Sequence, residues 1–139
     1  MKNFLIISQI ALLLFSCSPK EVEKVEGTFD DGKPQFISSY KSIDGVEVKT
    51  KEKELYENGK TRMEGVIKEG EREGTWKAYF EDGTLWSEGA YTDGKRNGAA
   101  KNYFPNGKLR YEGFFTEDKK SGHWKFYNES GQLEQEKDF

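Results

Sequence analysis

The sequence predicts an all-β protein, an elongated antiparallel sheet of stacked β-hairpins, and three observations carry that expectation. The first is a period. Gly59, Gly83, Gly107 and Gly131 stand 24 residues apart, and Glu64, Glu88, Glu112 and Glu136 keep the same interval. Tyr79, Tyr103 and Tyr127 form a third register, Gly74, Gly98 and Gly122 a fourth, and Gly65, Gly89 and Gly113 each follow a repeating glutamate. Independent registers that agree in this way identify a repeat protein. The second observation is turn chemistry: Glu81-Asp82-Gly83 and Pro105-Asn106-Gly107 supply residues that tolerate the positive φ of tight hairpins. The third is alternation. In Trp76-Lys77-Ala78-Tyr79-Phe80 one side carries Trp76, Ala78 and Phe80, the other Lys77 and Tyr79.

With 139 residues the chain is long enough for one domain. Charged residues make up 34% and aromatics 14%, a mixture that suits a thin sheet with an aromatic buried face rather than a thick aliphatic core. The net charge is −3, so no excess of Lys or Arg exists to neutralise phosphates, and nucleic acid is not an expected partner.

Lys2 supplies an early positive charge, and Phe4 to Phe15 form an apolar run broken only by Ser8 and Gln9. Twelve helical residues span about 18 Å, well short of the ~30 Å hydrocarbon core, so residues 1–16 read as a signal peptide rather than a membrane span. The run ends Leu14-Phe15-Ser16-Cys17, and Cys17 is the one cysteine in the sequence. This ending resembles a bacterial lipobox, in which the cysteine is acylated and becomes the mature N-terminus. Leu14, Ser16 and Cys17 fit that pattern, and Phe15 is larger than its usual occupant. The alternative is an ordinary secretory cleavage site that leaves a free thiol, an awkward group in an exported protein. Cleavage after Ser16 removes one base and no acid, moving the balance from −3 to about −4. Residues 17–26 alternate in charge and lack aromatics, which predicts a solvated tether; the Lys20-Glu21 pair loosely resembles surface-export signals of some lipoproteins.

Residues 27–54 read as a degenerate first unit that caps the sheet, because Phe29-Asp30-Asp31-Gly32-Lys33 echoes Tyr56-Glu57-Asn58-Gly59-Lys60 at a spacing of 27. Residues 55–139 carry the full repeats, ending in a half unit from Gln132 to Phe139. Each unit is expected to run from a glycine turn into a strand such as Lys108 to Phe115, through a looser second turn such as Asp93 to Gly98, and back along a strand such as Trp76 to Phe80. Glycine weakens a strand unless something lies close over its backbone. Gly65, Gly89 and Gly113 are therefore expected beneath aromatic rings of a neighbouring strand. Glu64, Glu88 and Glu112 admit two readings, a binding or catalytic row or a scaffold role. As scaffold they accept backbone hydrogen bonds or pair with Lys77, Lys101 and Lys125.

Tyr111-Glu112-Gly113-Phe114-Phe115, with Gly122 beyond it, resembles the MORN repeat, and Ser87 to Gly98 matches it closely. Asp118 departs from the pattern by standing where Gly70 and Gly94 stand. Trp76 and Trp124 occupy a slot that is often glycine in the eukaryotic form, and with Tyr79 to Gly83 they look like the bacterial MORN variant, often labelled YwqK-type antitoxin. The resemblance implies a non-enzymatic membrane-associated scaffold; phospholipid binding is attributed to eukaryotic members, but an acidic mature chain suits an anionic surface poorly.

Chemistry has few places to reside. His123 is the single histidine and shares its slot with Thr75 and Ala99, the mark of a tolerant surface position. No catalytic residues, metal site or cofactor are expected. Binding is the better prospect. Tyr79, Tyr103 and Tyr127 would form a row at ~10 Å intervals, two strand spacings, either as a binding surface or as a packing ladder. The expected function is a lipoprotein anchored through Cys17 in the cell envelope, its sheet a scaffold for a protein partner, with self-association through sheet edges open to it. An antitoxin or immunity protein, and an envelope glycan-binding module, are the alternatives. The lipid reading has a direct test: full-length protein should enter the detergent phase on partitioning, and Cys17→Ser should move it to the aqueous phase.

Overall fold

The computed structural model describes residues 20–139; the expected signal peptide and Cys17 lie outside the described residues. The described residues contain no helix and form ten strands: β1 (Val22–Thr28), β2 (Pro34–Ile43), β3 (Val46–Leu55), β4 (Thr61–Lys68), β5 (Glu71–Tyr79), β6 (Leu85–Thr92), β7 (Lys95–Tyr103), β8 (Leu109–Thr116), β9 (Lys119–Tyr127) and β10 (Leu133–Asp138). They lie side by side in chain order in one open sheet, each antiparallel to the next. The all-β, stacked-hairpin architecture is the one the 24-residue period implies.

Two kinds of turn alternate along the two ends of the strands. On one end a glycine turn recurs: the Phe80 amide donates to the Thr84 carbonyl and the Gly83 amide to the Phe80 carbonyl, at 2.8 and 2.9 Å, and the same pair recurs at Tyr56, Phe104 and Asn128. Asn58, Asp82 and Asn106 brace these turns by accepting from the amide two residues on. Successive turns are also tied together. Lys60 Nζ donates to the Asp82 carbonyl at 2.7 Å and Lys108 Nζ to the Ser130 carbonyl at 2.9 Å.

The other end corrects the expected loose turn. Asp93 and Gly94 both have positive φ, 48° and 79°, and β7 resumes at Lys95, so the connection is a two-residue hairpin turn. Asp118 takes the place of glycine there at φ 65°. Its carboxylate accepts from the Arg96 amide at 2.8 Å, which offsets the strain.

Residues 22–26, expected within the tether, belong to β1. The charges of this segment read as solvated in sequence, yet the sheet supplies partners for Glu21, Lys24 and Glu26. Glu26 accepts from the buried Ser38 hydroxyl at 2.9 Å, from Lys49 Nζ at 2.6 Å and from the Tyr40 hydroxyl. Glu21 accepts from Thr50 at 2.6 Å and Lys51 at 3.1 Å. The spacing of 27 also has a simple origin. β2 and β3 hold 10 residues each where β4 and β5 hold 8 and 9, so the first long hairpin is three residues longer.

The hydrogen bonds from Lys49, Tyr40 and Ser38 hold the Glu26 carboxyl down to about 2, from an ordinary 4.5. A depressed carboxyl contributes stability above its ordinary pKa and loses it as pH falls through the folded value. The β1 amide resonances should therefore move toward random-coil shifts as pH drops from about 4.5 to 2, while those of β6 to β8 hold longer. Glu26→Gln should produce the β1 change at neutral pH.

Candidate functional site

The sheet has two chemically distinct faces. On one, the register sets Lys53, Glu64, Lys77, Glu88, Lys101, Glu112, Lys125 and Glu136 opposite one another, an alternating ladder from β3 to β10. The tyrosine row stands on the same face. Each hydroxyl reaches back to the preceding strand: Tyr79 donates to Glu64 at 3.0 Å, Tyr103 to Glu88 at 3.1 Å and Tyr127 to Glu112 at 3.0 Å. The glutamates thus take tyrosine hydroxyls. Backbone amides are not their partners, and the ladder lysines close to within 4 Å only at its ends, where Lys53–Glu64 and Lys125–Glu136 stand 3.9 Å apart. Burial, and then the adjoining Glu64 carboxylate, push the Tyr79 hydroxyl up to about 12; Tyr103 and Tyr127 shift the same way for the same causes. These half-buried tyrosines hold protons firmly and show no sign of acid–base poise.

The opposite face carries the tryptophans. Trp124 is fully buried and Trp76 is 4% exposed, although no second layer covers them among the described residues. Each indole folds over the glycine of the preceding strand. A methyl added at Gly65 would stand 2.3 Å from the Trp76 ring, and one at Gly113 would stand 2.3 Å from Trp124. The indole nitrogens donate to the Val66 and Phe114 carbonyls at 3.0 and 3.2 Å. To lay a ring there the return strand must bulge, and Gly74 and Gly122 make the bulges at φ 65°, where a side chain would be strained.

Gly89 departs from this pattern. Its strand partner in β7 is Ala100, and the nearest atom to an added methyl is a Tyr91 ring carbon at 3.9 Å. The ring expected over Gly89 is absent because the return strand β7 carries Ala100 where Trp76 and Trp124 stand in their units, and the tryptophan this unit does hold, Trp86, lies on β6 beside Gly89 itself.

A row of cations, Arg72, Arg96 and Lys120, stands on the same face, and its 24-residue spacing is the signal that could have found it in the sequence. The Arg72 guanidinium lies 4.1 Å from the centre of a Trp76 ring, Lys120 Nζ lies 4.5 Å from Trp124, and Arg96 lies 5.1 Å from Phe115. His123 is exposed at the end of the other face. Its Nδ1 lies 2.8 Å from Asp138 and its Nε2 3.3 Å from Glu136, and the two acids raise its pKa. Among the described residues no cluster of three or more His, Cys, Asp or Glu is arranged to hold a metal.

An open sheet of consecutive hairpins, sorted into a polar face and a tryptophan face, defines a repeat protein rather than an enclosed catalytic site. The model of the MORN repeat variant family matches residues 72–93, 96–117 and 120–139. These matches coincide with the hairpins β5–β6, β7–β8 and β9–β10, and the geometric repeat continues upstream of them to the turn at Tyr56. Repeats of this family are generally non-enzymatic and often serve as protein or membrane interaction modules. No curated protein matches the chain.

Alanine at Gly65 or Gly113 must displace an indole, an overpacking that costs about 1–3 kcal/mol. Alanine at Gly89 meets nothing and should be neutral, or stabilising by about 0.4–1 kcal/mol through the unfolded chain. Thermal melts of the three variants check this: a drop of several degrees for Gly65→Ala and Gly113→Ala is expected, with none for Gly89→Ala.

Proposed function

We propose that the protein is a non-enzymatic lipoprotein of the bacterial cell envelope, anchored through Cys17, whose repeat sheet is a scaffold for a protein partner. The observation that carries the reading is the open architecture. Ten strands at ~4.8 Å and ~8 residues at ~3.4 Å give each face roughly 1,300 Å², against the ~800 Å² per partner of a standard protein interface. The surface on offer is large, ordered and free of any covering layer among the described residues.

Charge favours a protein over a lipid surface. The net charge of −3 gives anionic headgroups little to attract. The lipid on Cys17 would supply membrane attachment by itself, at ~0.8 kcal/mol per buried CH₂, leaving the sheet available for other contacts. Of what tyrosine brings to a binding site, the Tyr79, Tyr103 and Tyr127 row has spent its hydroxyls on the sheet's own glutamates. The exposed ring surface remains.

Photo-crosslinking in the native envelope tests the reading. A crosslinking residue at Lys101 samples the tyrosine face and one at Ser87 the tryptophan face. At least one position should yield a discrete protein adduct that survives detergent washing. Lipid adducts alone from both positions would count against a protein scaffold. Tyr103→Ala then separates binding from packing, since loss of the adduct with folding intact assigns the site to the tyrosine row.

A further inference from the structure

In the 24-residue register Ala100 is the counterpart of Trp76 and Trp124, and Asn102 is the counterpart of Ala78 and Phe126. The middle unit therefore lacks its large aromatic residue. A cleft of about 350 Å³ opens on the tryptophan face, lined by Gly89, Ala100, Trp76, Tyr91, Tyr111 and Phe115. That volume lies at the small end of ligand pockets, on the scale of one large side chain.

The cleft retains the fittings that serve the tryptophans in the flanking units. Bare glycine backbone is present at Gly89, with nothing but Tyr91 within 4 Å of an added methyl. The Ala90 carbonyl, counterpart of the Val66 and Phe114 carbonyls that accept indole N–H bonds, also belongs to a cleft-lining residue and has no indole from position 100. Asn102 is 4% exposed and its Oδ1 has no hydrogen-bond partner. It sits in register between Ser87 and Tyr111, both on the cleft wall.

The lining also carries charge, from Lys77, Glu88 and Lys101 as well as two arginines. Arg72 and Arg96 both border the cleft. Arg72 stacks on Trp76 at 4.1 Å, and Arg96 stacks on Phe115 at 5.1 Å with its Nε 3.4 Å from the Tyr91 hydroxyl. Among the described residues Arg62 is the arginine with a carboxylate partner, Glu54, and neither Arg72 nor Arg96 has one. Two guanidiniums held in place by aromatic faces, and lacking counter-ions, match carboxylates presented beside an aromatic ring.

We propose that the cleft over Gly89 is a docking seat for a tryptophan side chain of a protein partner, carried in an acidic segment whose carboxylates pair with Arg72 and Arg96. The inference rests on the reading of the sheet as a protein scaffold. The incoming indole restores the stack that Trp76 and Trp124 maintain on either side, and it fills a recess where one aromatic anchor can dominate an interface.

Full-length protein in detergent micelles is titrated with a capped five-residue peptide, one tryptophan flanked on each side by two aspartates, and followed by NMR. Saturable shifts at Gly89, Tyr91 and Ala100 are expected. Arg72→Ala and Arg96→Ala should each weaken binding about tenfold, the value of one charge-assisted contact. Ala100→Trp supplies the missing ring from within and should abolish binding while raising the melting temperature. Should that variant fold poorly, Ala100→Met fills part of the seat and should weaken binding measurably. Absence of wild-type binding, equal binding to Ala100→Trp, or equal binding of a peptide with alanine in place of tryptophan overturns the seat. Free indole-3-acetate binding as tightly as the peptide overturns the protein partner. If the peptide fails while envelope adducts form, the scaffold stands without this seat; if adducts fail while Ala100→Trp abolishes peptide binding, the seat stands without the scaffold.

Discussion

A sheet one layer thick has nowhere to bury a side chain, and the tryptophan folded over a bare glycine is how this protein makes a core. Trp124 reaches zero exposure with no second layer among the described residues because its ring lies flat on the Gly113 backbone. The ring is flanked by Phe115 at 5.2 Å, Tyr111 at 5.7 Å and Phe139 at 5.9 Å. Hiding ~200 Å² of indole contributes about 5 kcal/mol, and satisfying its N–H on the Phe114 carbonyl avoids the cost of an unpaired donor. The remaining periodic residues follow from that lock. The glycine under the ring cannot carry a side chain, the return strand must bulge to bring the ring over, and the bulge requires Gly122 in the left-handed region. The cation stacked above, Lys120, closes the open side with its aliphatic stem while its charge stays wet.

The opposite face answers a different need. With no layer to pack against, its side chains must be satisfied laterally. The Lys–Glu ladder brings opposite charges into register, and each Tyr–Glu hydrogen bond runs from one strand to the strand before it. Individually such exposed contacts contribute little, on the order of 0.2–1 kcal/mol. Their value lies in tying strands together laterally, as the Lys60 and Lys108 contacts tie successive turns. Stability in such a molecule is a sum of units and nearest-neighbour terms. Its edge strands carry the least of it. β10 is exposed along its whole length, and its Glu, Lys and Asp residues leave an edge that is charged and unattractive to other strands.

The architecture was legible in the sequence because a repeat averages away local ambiguity. Four registers at one spacing fix strand order and facing together, and the Trp76–Ala78–Phe80 alternation assigned the sides correctly. What was not legible depended on partners distant in sequence or on one unit differing from its neighbours. Residues 22–26 have the composition of a tether, and nothing near them shows that Ser38, Tyr40 and Lys49 will close around Glu26. Asp93 to Gly98 is polar and looks like a loop, but two residues at positive φ suffice to turn the chain and the rest is strand. A uniform period gives Gly89 the role of Gly65 and Gly113, and the middle unit is where the period is not uniform. Ala100 in the tryptophan slot was there to be seen, and only the register of β6 on β7 shows what it removes.

That exception bears on where function can lie in a repeat protein. Residues that recur at every period answer to the sheet, so Glu88 and Tyr103 do in the middle unit what their counterparts do on either side. A surface made only of such residues would be uniform and would offer a partner no preferred register. Specificity needs a place where the pattern breaks without the sheet breaking. The middle unit meets that condition. It keeps its turns, its tyrosine–glutamate bond and its pairing on both sides, and it gives up the one residue that fills the face. The change also reaches the backbone, where Gly98 relaxes to φ 121° while Gly74 and Gly122 stay at 65°. Losing a buried tryptophan costs about 3–5 kcal/mol. The sheet of ten strands keeps a complete tryptophan unit on either side of the gap.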